Sequence, residues 1–147
     1  MDEEINWLAL EEKFDKQLTP GQRAEIRRVA LPDDLAELPA YYHLLPAGVE
    51  PGKQWQRVIF ILPWVKQKKG APPIGEQFKR AGIDERRMFQ MLRSNEPQDL
   101  LCLRRLFRQA DDVSADWEYF GPSLYYWNKV NKRRFVEDYY STSQVSK

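Results

Sequence analysis

"DERRMFQMLRSNEPQDLLCLRRLFRQAD", residues 84–111, decides the fold. Each residue of a helix stands about 100° on from the last. Counted from Asp84, Met91, Met88, Leu92 and Phe89 fall between about 340° and 140°, and Arg93, Arg86, Gln90 and Arg87 between about 180° and 300°. Counted from Leu100, Leu106, Ala110, Leu103 and Phe107 share one arc with it, and Arg104, Arg108 and Arg105 occupy about 40° to 140°. Both halves are therefore amphipathic helices, each with an apolar face for a core and an arginine face opposite. "SNEP" separates them, and the second starts near Pro97.

Upstream of Asp84 the same spacing continues. Trp7, Leu10, Phe14 and Leu18 recur three or four apart and predict an amphipathic helix. In "TPGQRAEIRRVA", Thr19 can cap, Pro20 suits the first helical position and Gln22 completes a capping box; Pro32 ends that helix. "DDLAEL" and "AYYHLL" are short helical pieces split at Pro39. Residues 46–53 form a loop, and an apolar helix over about 54–68 follows, kinked at Pro63. "KQKKGAPPIG" is a basic flexible connection, a short helix then runs to about Arg80, and Gly82 stops it. Asp84 caps the next helix, with Ile83 and Met88 spaced as a hydrophobic staple. Beyond residue 111, "DDVSAD" is a loop in which Ser114 is the candidate cap. Two last helices break near Gly121–Pro122, and the tail 141–147 frays. The expectation is all-α, one domain over 1–147: a helical bundle of about eight helices with a basic loop near 66–75.

A net charge of +1 conceals an uneven distribution. Residues 1–50 hold 5 basic and 11 acidic side chains, whereas residues 66–108 hold 11 basic and 5 acidic. The local field of such a patch matters more than the total. Arginine rather than lysine dominates the helix faces, which suits bidentate gripping of phosphate. A second basic group, Lys129, Lys132, Arg133 and Arg134, stands beside Tyr125, Tyr126 and Trp127. The competing reading is a solvated face, or one paired with the acids of residues 1–50. DNA, RNA and an acidic protein partner all remain open on these grounds.

Enzymatic signals are missing. One histidine and one cysteine cannot make the usual zinc sites. His43 is a packed or surface side chain and Cys102 a buried inert thiol. Acid pairs at Glu11/Glu12, Asp33/Asp34 and Asp111/Asp112 diverge by about 100° on a helix and do not converge on a metal. There is no phosphate-binding glycine loop, and no cofactor is expected. The longest apolar run, residues 58–65, is too short for a membrane span. With no apolar signal core in "MDEEINWLAL", the expected location is cytoplasmic.

Three stretches carry a resemblance: "AEIRRVALPDDLAELPAYYHLL" (24–45), "GIDERRMFQMLRSNEPQDLLCLRRLFRQAD" (82–111) and "LYYWNKVNKRRFVEDYYST" (124–142). Their I-R-R-V-x-x-P-D, E-R-R-x-F-Q and L-R-R-L elements, in that order, resemble the CasB family, the small subunit of the type I-E Cascade complex of CRISPR defence. The match covers most of the chain; residues 46–81 depart from it. The resemblance implies an all-helical, non-catalytic subunit, present as two head-to-tail copies beside the backbone and large subunits. It also implies that the basic surface supports the guide RNA–target DNA hybrid and the displaced DNA strand. On the matching positions the implied nucleic-acid-binding residues are Arg27, Arg28, Arg86, Arg87, Arg93, Arg104, Arg105, Arg108, Lys129, Lys132, Arg133 and Arg134. Of Arg27 and Arg28, about 100° apart, one is expected to face the ligand. A free-standing nucleic-acid-binding protein and a helical protein–protein adaptor are the alternatives.

Overall fold

A computed structural model describes residues 5–145. The chain is all-α, and its described residues form nine α-helices: α1 (Trp7–Glu12), α2 (Pro20–Arg28), α3 (Pro39–Leu44), α4 (Lys53–Ile61), α5 (Ile74–Arg80), α6 (Glu85–Arg93), α7 (Gln98–Ala110), α8 (Trp117–Tyr125) and α9 (Lys129–Val145). A π-turn (Lys13–Gln17) and two 3-10 turns (Pro32–Glu37, Leu62–Trp64) complete the helical part. Two-residue strands β1 (Lys66–Gln67) and β2 (Ser114–Ala115) pair in parallel, Lys66 with Ser114 and Gln67 with Ala115.

Local signals place the helix ends. Thr19 and Gln22 form the reciprocal capping box, each side chain accepting from the other's backbone N–H. Asp84 accepts from the Arg87 N–H at 2.9 Å, and Ile83 and Met88 are both buried, as a staple requires. α5 stops on Gly82 at φ +86°, with Gly82 N–H bonded to Lys79 and Ile83 N–H to Phe78. That pair of bonds closes a Schellman motif, and the buried Phe78 and Ile83 supply its apolar ends.

One apolar core unites the helices. Trp55, Trp117, Tyr41, Phe60, Phe78 and Phe107 are its largest fully buried side chains. All four apolar residues of the first segment are buried, although the helix predicted there widens into the π-turn after Glu12. Arg23 satisfies the end of that turn by donating to the carbonyls of Asp15 and Leu18.

Five expectations are corrected. The helix over 54–68 ends at Ile61, where the chain tightens into the 3-10 turn holding Pro63. The segment predicted to be flexible, 66–75, is tied down: Lys66 and Lys68 donate backbone N–H to Val113 and Ala115, and the Gln67 side chain accepts from the Trp117 N–H. Ser114 belongs to β2, and Asp116 caps α8 instead, accepting from Glu118 at 3.2 Å. α8 passes through Gly121–Pro122 and breaks at Tyr126. It is held on both sides. The ring of Trp7 lies where a Gly121 side chain would stand, and Arg57 donates to the carbonyls of Leu124 (2.9 Å) and Tyr125 (2.6 Å). The backbone of 141–145 continues α9 where fraying was expected; residues 146 and 147 lie outside the described residues.

Candidate nucleic-acid interface

The predicted cations divide into an exposed majority and two that serve the fold. Lys132 points inward, 7% exposed. Its Nζ lies 2.9 Å from Asp99 Oδ2 and donates to the Ser94 carbonyl at 2.8 Å, while Trp127 Nε1 donates to the same Asp99 oxygen. Lys132 is thus corrected from phosphate contact to core tie. Its position foretold this: Phe135, Val136 and Tyr139, three, four and seven residues on, are all buried.

Arg104 is corrected in part. Its Nη1 donates to the Val29 carbonyl at 2.6 Å, at the C-terminal end of α2, and its guanidinium carbon lies 4.4 Å from the Phe60 ring centroid. Burial, then the charges of Arg108 and Arg105, hold its pKa below the ordinary arginine value. On the helical projection Arg104 lies nearest the apolar arc, which is why it is half-buried. Arg104→Met is expected to cost about 1.5–3 kcal/mol of stability, the range for losing a hydrogen bond to a charged donor. Arg105→Met, on an exposed residue, is expected to be near neutral. Urea denaturation of both variants separates the roles.

Three groups of exposed cations remain. Arg27 from the last turn of α2, Lys66 from β1 and Arg108 from α7 line one groove, floored by Pro63, Trp64 and Phe107. The Arg108 guanidinium carbon lies 5.7 Å from the Trp64 ring centroid, which restrains its direction. Asp111 and Asp112 stand on the same groove, yet among the described residues none of its three cations forms an ion pair. Arg28 is exposed but is not part of the groove wall. In the second group Arg87 and Arg105 face each other across a small hollow between α6 and α7, lined also by Gln90 and Gln109. Arg87 is 3.7 Å from Asp84, a loose contact on the surface. Arg86 and Arg93 are exposed on α6, with Arg93 over the Phe89 ring at 5.2 Å. Lys129, Arg133 and Arg134 form the third group, exposed along the first turns of α9.

The sequence reading missed Lys66 and Trp64, because both lie within residues 46–81, which depart from the family resemblance. It also missed Arg57, whose side chain ties α4 to the end of α8 and to Glu96 at 3.3 Å. Among the described residues no group of three or more metal-ligating side chains assembles. No described helix is long and apolar enough to cross a membrane. His43 is exposed and Cys102 buried.

Fold and surface together define a small all-α protein whose exposed arginines lie partly on grooves, Arg27 and Arg108 on one and Arg87 and Arg105 on another, and partly on open helix faces. Residues 22–140 match the model of the CRISPR-associated protein Cse2 family. The chain belongs to that family. It is 35% identical to the CRISPR system Cascade subunit CasB of Escherichia coli K12, covering 97% of this chain and 98% of that protein. It also superposes, at a TM-score of 0.87 and 31% identity, on a chain of E. coli Cascade bound to a PAM-containing double-stranded DNA target, covering 97% of this chain and 99% of that one.

Proposed function

We propose that the chain is the non-catalytic small subunit of a type I-E Cascade complex in the cytoplasm. In this reading its exposed arginines follow the phosphate backbones of the guide RNA–target DNA hybrid and the displaced strand. The observation that carries the reading is the groove in which Arg27, Lys66 and Arg108, distant in sequence, stand together without ion pairs among the described residues. Cations left unpaired are available to phosphate, and contacts to the backbone alone position a strand without reading its bases. Near-full-length similarity to a subunit of Cascade supports the assembly.

Such contacts suffice for a holding role. In the analogous Cas9-type effectors, exchange of a DNA duplex for a guide–target hybrid is nearly balanced, so modest backbone contacts tip it. A free-standing nucleic-acid-binding protein is disfavoured by the net charge of +1. Head-to-tail packing of two copies fits the excess of acids in residues 1–50, which would meet the basic faces of a neighbour.

The test is Arg27→Glu with Arg108→Glu in the assembled complex. Loss of two backbone contacts is expected to shorten the R-loop lifetime by about tenfold or more at physiological salt. It should also flatten the salt dependence of target binding by a log–log slope of about 2. Unchanged lifetime and slope in a complex of full composition would remove the groove from the interface.

A further inference from the structure

The side of the fold built by α8 and α9 has a different character. Three large apolar side chains are exposed there: Tyr119 at 77%, Tyr126 at 64% and Val130 at 59%. Tyr119 forms the lip of a hollow of about 200 Å3 between the 71–74 segment, α8 and α9. Phe120 and Phe135 floor it, and Pro72 and Pro73 make one wall. Asn131 also lines it and ties the two helices by donating to the carbonyls of Ser123 and Tyr126.

Charge distinguishes this hollow from the arginine groove. Two carboxylates, Asp116 and Asp138, line it against one guanidinium, Arg134. Inside the hollow that balance favours a cation over a phosphate. An apolar hollow rimmed by exposed tyrosines, with net negative charge, fits a protein segment that offers an apolar side chain and a cation. Aromatic side chains of this kind are the ones that dominate protein interfaces. Burial raises the pKa of the Asp138 carboxyl, with Arg134 opposing, so an added cation nearby would favour its charged form.

We propose that the α8–α9 hollow is the docking site for a segment of a different protein subunit, one carrying an apolar side chain adjacent to an arginine or lysine. The apolar side chain fills the space between Pro73 and Phe120, and the basic one crosses Tyr119 toward Asp116. The inference rests on the subunit reading above.

The experiment places benzoylphenylalanine at Tyr119 in the full chain. The complex is then purified through a tag on this chain, irradiated and analysed by mass spectrometry. The expected product joins residue 119 to a peptide of another subunit that holds a lysine or arginine beside an apolar residue. A crosslink to a second copy of this chain, a crosslink to RNA or DNA, or none in a complex of full composition each overturns the proposal. If the tagged chain brings down no complex, the subunit reading itself fails, and the docking site fails with it. Tyr119→Ala and the space-filling Ser123→Trp provide a second measurement. In the chain without the photocrosslinker, each is expected to lower co-purification of the subunit so identified by about tenfold with an unchanged melting temperature. Undiminished recovery from either folded variant also overturns the assignment.

Discussion

Lys132→Met is expected to lose about 3–5 kcal/mol of folding stability, the range for breaking one side of a buried ion pair. Lys132 and Asp99 are 8% and 2% exposed at the side chain, with their charged atoms 2.9 Å apart. The lysine ammonium also holds the Ser94 carbonyl at the end of α6. Removing it leaves the Asp99 carboxylate with a single donor, Trp127 Nε1, for Oδ2 and none for Oδ1. The cost is then that of a charge left in the interior. Urea denaturation should show a lower midpoint with an unchanged m-value. Adding Asp99→Leu to Lys132→Met should recover much of the loss, because an apolar pair of similar volume replaces the ionic one. A single variant within about 1 kcal/mol of the parent would contradict the burial argument. If the proposed function holds, the fraction of Lys132→Met that remains folded should support the same R-loop lifetime as the parent, since this lysine is buried.

Gly75→Ala should be the most disruptive small substitution in the chain, at about 3 kcal/mol. A side-chain carbon there would stand 2.1 Å from the Phe135 carbonyl oxygen and 2.7 Å from the Tyr139 nitrogen. Both are backbone atoms of α9, so no side chain can swing aside. The first turn of α5 must lift off α9. That strains the neighbouring ties, the Tyr139 hydroxyl on the Ile83 carbonyl at 2.5 Å and Lys79 over the Tyr139 ring at 4.8 Å. A loss of about 3 kcal/mol corresponds to a fall of roughly 6–12 °C in melting temperature for a domain of this size. Gly21→Ala is the control. It has only Thr19 Oγ1 within 4 Å, at 3.9 Å, and lies in α2, so alanine should be neutral or mildly stabilising. Equal melting temperatures for the two variants would refute the close approach.

These two sites mark what the sequence could convey. Features encoded within five residues were legible: the Thr19–Gln22 box, the Asp84 cap with its Ile83–Met88 staple, and the Gly82 stop. The division of α6 and α7 into apolar and basic faces was legible for the same reason, since it needs only the helical period. Features made by distant segments were not. Nothing local tells Gly75 that α9 will pass against it, or tells Lys66–Gln67 that Ser114–Ala115 will pair with them. Pro63 fitted a kinked helix as well as the 3-10 turn that the chain adopts. The candidate site falls between these cases. The sequence named Arg27 and Arg108 as candidates, but only the fold brings them to one groove with Lys66. Lys132 and Arg104 could have been set apart by their angular positions, the first on the buried stripe of α9 and the second at the edge of the apolar arc of α7.

The pairing of β1 with β2 acts as a clasp. It closes a loop that contains α5, α6 and α7, the helices that carry most of the arginine faces. The entropic cost of closing a loop grows only with the logarithm of its length, so so long a closure adds little penalty over a short one. Once the clasp is shut, α5 cannot drift from α7 without opening a backbone ladder at the far end. The Lys68 side chain sits in water, yet its amide is bonded to the Ala115 carbonyl at 2.9 Å. A lysine-rich stretch that looks like a mobile linker thus keeps the arginine-bearing helices in register with one another.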